Sequence, residues 1–195
     1  MNLSKLLLVI FMIIPGISAV RAQTADEIIS KHITAIGGKE AWDKVNSIKM
    51  EGSLEVQGTE VSIVITKLQN KGMRQDITAM GMVGYKIVTQ AYGTTFMPFQ
   101  GQASAVPMTP EELKASQDQL DARGLLLDYK EKGHSVELAG KETINGIECF
   151  KLAAVLKSGK KESLFIDSRT YYVVRTVTSV PGQERFAAYP FVTLM

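Results

Sequence analysis

The sequence predicts an α+β protein built around a meander of antiparallel β-strands. Between Asn46 and Phe99, apolar residues recur at every second position, and short segments containing Gly or Asn separate the apolar runs. Such a period of two with turn residues between the runs is typical of consecutive antiparallel strands joined by hairpins. One face of the meander is apolar, so helices, a ligand or both must cover it.

Residues 24–45 predict two helices ahead of the meander. Thr24 and Glu27 have the spacing of a capping box, and the isoleucines that follow lie on one helical face together with His32. Two glycines end this helix, and a shorter helix carries Trp42. We expect Trp42 to be buried and His32 to be a core histidine whose ring is hydrogen-bonded.

The second half of the sequence predicts a helix and a second group of strands. Thr109, Pro110 and Glu112 mark a helix start, and residues 110–123 carry a thin apolar stripe that suits either a movable lid or a surface helix. Asn145-Gly146 is typical of a two-residue hairpin. Strands are expected at 134–139, 142–144, 147–156, 162–167 and 172–179.

Residues 1–22 predict a secretory signal peptide. Lys5 precedes a run of nine apolar residues, and small residues stand at the −3 and −1 positions before Gln23. The apolar run is too short for a typical membrane span, and no cysteine follows it that could accept an N-terminal lipid. We therefore expect an exported chain without a lipid anchor, in which residues 23–195 form a single domain.

The charge balance argues against partners that are strongly anionic. The chain has 22 basic and 20 acidic residues, and two of the basic residues lie in the predicted signal peptide. A neutral chain without a basic cluster is a poor candidate for binding nucleic acid or anionic membrane surfaces. Cys149 is the only cysteine, so we expect no internal disulfide and interpret Cys149 as a buried core residue.

The sequence contains no recognised catalytic or metal-binding motif. It has no glycine-rich phosphate loop, no metal-binding histidine pair, no cysteine cluster and no Gly-x-Ser-x-Gly motif. We therefore expect no catalytic residue, no metal site and no cofactor, and favour a binding protein over an enzyme. Arg74 is interpreted as a surface partner of Asp76, with a role in gripping a ligand head group as the alternative.

Several segments resemble one family of exported proteins. They are ADEII at 25–29, AIGG at 35–38, the run at 128–138, Asn145-Gly146 and CFKL at 149–152. They are similar to outer-membrane lipoprotein-sorting proteins of the Bacteroidetes type, within the superfamily that includes LolA, LolB and the sigma-factor regulator RseB. The resemblance covers about residues 24–185.

This resemblance implies a strongly curved antiparallel sheet that forms an incomplete β-barrel, with helices packed on its concave face. It also implies that a cavity between the sheet and the helices holds the acyl chains of a ligand. Strand parity then selects the candidate lining residues. They are Leu54, Val56, Ile63, Ile65, Met73, Ile77, Ile87, Phe96 and Phe99.

From the resemblance we expect a monomeric periplasmic carrier of lipoproteins or other acylated ligands that serves outer-membrane lipoprotein sorting. The alternatives are an envelope sensor that binds lipids or a protein partner, and an enzyme that acts on envelope lipids. The sequence departs from the family at its end, because the relatives continue with further strands beyond the position of Met195. We therefore expect a LolA-like domain that is either naturally short or truncated at its C-terminus by an altered reading frame, and either alternative would leave an open sheet edge.

Overall fold

The computed structural model describes the backbone of residues 23–180, 183–187 and 192–193, and the side chains of residues 23–178. The predicted signal peptide lies outside the described residues, as does most of the segment where truncation is expected. None of the helices in the described part of the chain has the length and apolarity needed to cross a membrane.

Two helices precede the strands, as predicted. Helix α1 (Ala25–Ala35) begins with the expected capping box, in which the Glu27 backbone N–H donates to the Thr24 hydroxyl at 3.2 Å. Helix α2 (Lys39–Asp43) follows Gly37 and Gly38, whose φ angles are +112° and +86°. Glycine adopts these angles without steric cost, so two glycines suit the short connection between the helices.

The predicted meander forms the first sheet. Its strands, numbered along the chain, are β1 (Ser47–Val56), β2 (Thr59–Leu68), β3 (Gly72–Ala79), β4 (Met82–Thr89), β5 (Gly93–Phe96), β6 (Val106–Pro107) and β12 (Val192–Thr193). The order in the sheet is β12-β1-β2-β3-β4-β5-β6, and neighbouring strands are antiparallel. Two-residue turns at Gln57-Gly58 and Met80-Gly81 have positive φ at both positions, as tight hairpins with the right twist require.

The remaining strands form a second antiparallel sheet. They are β7 (Ser135–Ile144), β8 (Ile147–Val155), β9 (Lys161–Asp167), β10 (Val173–Val180) and β11 (Gln183–Ala187), in the order β11-β10-β9-β8-β7. The hairpin predicted at Asn145-Gly146 is confirmed. The two short strands predicted at 134–139 and 142–144 are one strand, because an irregularity between Leu138 and Gly140 shifts the register without ending the ladder.

The helix predicted at 110–123 is shorter than expected. Helix α3 (Pro110–Ala115) starts with the predicted capping box of Thr109 and Glu112, and a 3-10 turn follows at Gln117–Leu120. The Gln117 side-chain amide donates to the Leu113 carbonyl at 3.1 Å. That carbonyl is the acceptor that a continuing helix would use for residue 117, so the side chain competes with the helical bond.

The core lies where helices α1 and α2 meet the two sheets. Ile28 and Ile29 of α1 cluster with Phe150, Leu152 and Ile166 of the second sheet. Trp42 of α2 clusters with Ile48 of β1 and with Ala122 and Leu127 from the segment between the sheets. The predicted burial of Trp42 and Cys149 is confirmed, with exposed fractions of 9% and 0%.

His32 is buried, as predicted, and its Nδ1 atom lies 2.8 Å from the Tyr171 carbonyl oxygen. The neutral ring donates from Nδ1 to this carbonyl. Burial lowers the pKa of His32 below 6.5, although the bond to Tyr171 acts in the opposite direction. His32 is therefore a neutral core side chain at pH 7 and offers no accessible base.

The α+β class and the antiparallel strand arrangement are confirmed. The hydrogen bonds of the described strands form two sheets, however, where the prediction expected a single curved one. The incomplete barrel and the concave shape of the helix-covered face stay predictions.

Candidate functional site

The strand register arranges one face of the first sheet in rows that run across β1–β4. Residues that pair directly in antiparallel strands point to the same side, and the side alternates along each strand. We call the side that carries Ile48 and Met73 the inner face. Its four rows are Leu54, Val61, Ala79 and Met82; then Gly52, Ile63, Ile77 and Gly84; then Met50, Ile65, Gln75 and Lys86; and finally Ile48, Lys67, Met73 and Val88.

Three of the four residues of the last row are covered by other parts of the chain, and the fourth, Lys67, is half-buried. Ile48 and Met73 are each 5% exposed and Val88 is fully buried. Trp42 and Leu127 pack against Ile48, and Leu120 packs with Met73 and Val88. We call this the covered row.

The first two rows reach solvent at several positions, although Ala79 and Gly84 within them are buried, and we call them the open rows. Leu54 and Met82 stand at the two ends of the outermost row and are 47% and 39% exposed. Val61, Ile63 and Ile77 lie between the flanking strands and are half-buried. The two open rows therefore form a continuous apolar strip that is partly accessible, which is a feature of binding surfaces.

A short turn lies on the β4 end of the open rows. A side-chain carbon added at Gly84 would come within 2.7 Å of Phe99 Cε1 and 3.0 Å of Met97 Sδ. The turn at Pro98–Gln100 therefore lies directly on the inner face, and only glycine leaves it room. This contact places Phe99 beside the open rows.

The structure places six of the nine predicted lining residues on the strands of the inner face. Leu54, Ile63 and Ile77 belong to the open rows. Val56 is one step beyond the outermost row at the end of β1 and is 45% exposed. Ile65 lies in the third row and Met73 in the covered row. These predicted lining residues are therefore distributed over all four rows of the inner face and do not form one cluster.

The predicted face is wrong for Ile87 and Phe96. Ile87 pairs with Arg74 and Phe96 pairs with Tyr85, which puts both on the outer face of the sheet. Strand β4 carries apolar residues on both faces, with Val88 on the inner face and Ile87 beside it on the outer face. Alternation alone therefore could not fix the parity of this strand.

Arg74 is also on the outer face. Its guanidinium donates to the Asp76 carboxylate at 2.7 Å and lies 5.1 Å from the centre of the Tyr85 ring. The ion pair raises the pKa of Arg74 above its usual value. This side chain is the surface partner of Asp76 that the sequence suggested, and it does not face the open rows.

The sequence prediction omitted Val61 and Met82 from the candidate site. The register puts both in the outermost row, beside Leu54 and Ala79. Counting outward from the turns at Gln57-Gly58 and Met80-Gly81 would have found them, because a two-residue hairpin fixes the pairing of its flanking residues.

The open rows bring together apolar side chains and glycine, with no acid, base or nucleophile among their eight positions. Within the described residues, no group of three or more His, Cys, Asp or Glu side chains is placed to hold a metal ion. What the arrangement offers chemically is apolar surface.

No protein-family model matches the chain, and no curated protein matches it. Similar solved structures include a LolA superfamily protein from Nitrosomonas europaea, at 13% identity over 84% of this chain and 75% of that chain, with a TM-score of 0.41. A DUF1329 family protein from Desulfovibrio piger has 13% identity over 80% and 74%, with a TM-score of 0.44.

MucB is similar over 87% of this chain and 58% of its own, at 14% identity with a TM-score of 0.37. A further structure holds Pseudomonas aeruginosa MucB in complex with MucA. Because all these TM-scores are below 0.5, the likenesses leave the family of this chain open.

Proposed function

We propose that this chain is an exported protein that binds acyl chains on the open rows of the first sheet, as a periplasmic carrier of lipoproteins or other acylated ligands. The observation that supports this proposal is the contrast along one sheet face. Ile48 at one end of β1 is 5% exposed, whereas Leu54 on the same side of the same strand is 47% exposed.

The dimensions of the open rows suit an extended hydrocarbon. Neighbouring strands are about 4.8 Å apart, so a row that crosses four strands is about 14 Å long. An acyl chain laid along the outermost row would contact Leu54, Val61 and Met82, and would pass over Ala79, which is 8% exposed. Each methylene removed from water contributes about 0.8 kcal/mol, so apolar contact alone can hold such a chain.

The composition of the strip favours binding over catalysis. An enzyme that cleaves envelope lipids needs a nucleophile or a general base within hydrogen-bond reach of the scissile group. The open rows contain neither. Met82, at one end, has a flexible side chain that adapts to apolar ligands of different shape.

The test uses a carboxylate placed on the strip. Leu54→Glu puts a charge where the acyl chain would lie, and it should leave the fold intact because Leu54 is already 47% exposed. Binding of a fluorescent fatty acid should weaken at least about tenfold, since an unpaired carboxylate under hydrocarbon is unfavourable.

Ser53→Glu is the matched control. Ser53 is the neighbouring residue of β1, is exposed, and pairs with Ser62 on the outer face. The control should bind the probe as the wild type does. Failure of the wild type to bind saturably would refute the proposal, as would equal binding by the wild type and both variants, with folding of each checked by thermal unfolding.

Mass spectrometry of ligand extracted from the native protein would define the acylated compound. Recovery of a lipid or lipopeptide with the wild type, and its loss from Leu54→Glu, would connect the natural ligand to the open rows.

A further inference from the structure

A polar cleft lies beside Lys67, the charged member of the covered row, at the opposite end of the first sheet from the open rows. Its volume is about 410 Å³, and it is bounded by the end of β2, the 3-10 turn and the loop between β8 and β9. Lys67 lies four residues along β2 from Ile63, the nearest open-row residue of that strand, which corresponds to about 13 Å of strand. The cleft is therefore separate from the apolar strip.

Lysines outnumber carboxylates around the cleft. The charged side chains that line it are four lysines and three carboxylates: Lys67, Lys132, Lys157, Lys160, Asp118, Asp121 and Glu162. They come from positions far apart in the sequence, so the fold creates this cluster.

The carboxylates of the cleft already have donors. Asp121 accepts from Lys132 at 2.6 Å and from the Gln69 side-chain amide at 3.1 Å. Glu162 pairs with Lys160 at 2.6 Å. Asp118 accepts from the Ser158 hydroxyl at 2.5 Å. Each acid is therefore engaged by a neighbour inside the protein.

Two of the lysines form no ion pair within the described residues. The Lys67 ammonium makes one hydrogen bond among the described residues, a long one of 3.4 Å to the backbone carbonyl of Asp121. Burial lowers the pKa of Lys67, and the Asp121 charge offsets only part of that effect. The Lys157 ammonium has no hydrogen bond or ion pair within the described residues. Since an ammonium carries three N–H donors, both side chains can donate hydrogen bonds to further partners.

His134 adds a donor at the same place. Its Nδ1 atom accepts a hydrogen bond from the Lys157 backbone N–H at 3.0 Å, so the proton of the neutral ring is on Nε2. Burial and the nearby Lys132 charge lower the pKa of His134, so the ring is neutral at pH 7. The ring lines the cleft.

We propose that this cleft binds a phosphate group, held by Lys67 and Lys157 with His134 as a further donor. The side-chain groups of the cleft that lack partners are hydrogen-bond donors, and the lysines outnumber the carboxylates by one. The complementary ligand is therefore an anion rich in acceptors. A phosphate monoester carries several acceptor oxygens, enough for two ammonium groups and an imidazole N–H. The phosphate belongs either to a small soluble molecule or to a lipid head group, and the binding experiment below separates these two sources.

The proposal is tested by calorimetric titration with three probes. They are inorganic phosphate, glycerol 3-phosphate and a short-chain phosphatidic acid kept below its critical micelle concentration. Wild-type protein should bind at least one of them saturably, and Lys67→Gln and Lys157→Gln should each weaken that binding about tenfold or more. Added salt should weaken it as well.

Lys161→Gln is the matched control. Lys161 is adjacent to Lys160 but is exposed and does not line the cleft, so its loss should leave the affinity unchanged. Lys157 is also exposed, so Lys157→Gln should fold as the wild type does and decides the test alone if Lys67→Gln is unstable.

The pattern across the probes identifies the source of the phosphate. Similar binding of all three assigns the cleft to soluble phosphates, and binding of phosphatidic acid alone, lost in Lys67→Gln, assigns it to a lipid head group. The proposal is overturned if no probe binds saturably or if the lysine variants of the cleft bind as the wild type does. Phosphatidic acid binding that depends on Leu54 but not on Lys67 would support the apolar strip and reject the phosphate site.

Discussion

The inner face of the first sheet has one apolar pattern but two different environments. Ile48 and Leu54 lie on the same side of β1, yet Ile48 is 5% exposed and Leu54 is 47% exposed. The difference comes from residues distant in sequence, because Trp42 and Leu127 pack on Ile48. Alternation therefore defines an apolar face, whereas long-range packing decides which part of that face stays available to a ligand.

In the second sheet, helix α1 covers the apolar face. Phe150, Leu152 and Ile166 on its inner face are 3%, 0% and 0% exposed, and helix α1 packs against them. The open rows of the first sheet have no comparable cover over Leu54 and Met82 within the described side chains. Exposed apolar surface of this kind lowers stability, which is why we connect it with binding.

The largest expected effect comes from the same type of truncation at the two ends of β1. Ile48→Ala should lower the free energy of unfolding by about 2–5 kcal/mol, because it leaves a cavity under Trp42. Leu54→Ala should change it by less than about 0.5 kcal/mol, because much of the side chain is already in water. Urea denaturation of both variants measures the difference.

Equal losses at the two positions would contradict this comparison. If Leu54→Ala were as destabilising as Ile48→Ala, the open rows would be covered in solution, and the proposed binding surface would not be available. Trp42→Ala serves as a positive control for the covered row, because Trp42 packs on Ile48 and its indole N–H donates to the Ile36 carbonyl at 3.0 Å.

The next effect concerns the turn that lies on the β4 end of the open rows. Gly84→Ala should destabilise the protein by about 1–3 kcal/mol, because the new methyl group would displace Phe99 and Met97 from the sheet. The added carbon would also approach the Phe96 carbonyl oxygen to 2.7 Å. The shift of the urea midpoint relative to the wild type measures this cost.

Gly72→Ala is the control for that substitution. An added carbon at Gly72 meets its nearest neighbour, the Val88 carbonyl oxygen, at 3.5 Å, which is an ordinary contact. Stability should change little, or rise slightly because alanine restricts the unfolded chain. A Gly84→Ala variant as stable as Gly72→Ala would show that the Phe99 turn does not rest on the sheet.

Local features of the fold were predictable because they depend on neighbouring residues. The capping boxes at Thr24 and Thr109 and the hairpin at Asn145-Gly146 each need only a few consecutive positions. The division of the strands into two sheets was not predictable in this way, because it depends on pairing between distant segments.

The candidate site could be predicted only in part for the same reason. Parity put Leu54 and Ile63 on one face of the sheet, as the register does, but it failed on β4, where apolar residues occupy both faces and Ile87 points outward. The polar cleft had no sequence signal, since Lys67 and Lys157 are 90 positions apart and meet only in the folded chain.

The smallest expected effect is a pH dependence of stability. It compares a histidine in the core with a histidine that lines the polar cleft. His32 of helix α1 is buried in the core and His134 lines the polar cleft, and burial lowers the pKa of both. Between the lowered folded-state pKa and 6.5, the unfolded chain binds more protons than the folded chain, so stability rises with pH in that window. The stabilisation is therefore fully present above about pH 6.5 and is lost as the pH falls through the window.

Urea denaturation between about pH 5.5 and 7.5 should show this rise for the wild type, and His32→Gln should flatten it more than His134→Gln, because His32 is more completely buried. This pH range excludes the titration of the Asp26, Glu148 and Asp167 carboxyl groups. Their pKa values are lowered, so they titrate at more acidic pH. Glutamine removes the titrating group while keeping a polar side chain that carries N–H donors. A His32→Gln slope equal to that of the wild type would show that the ring titrates as it does in water, and that this part of the interior is as open as the cleft.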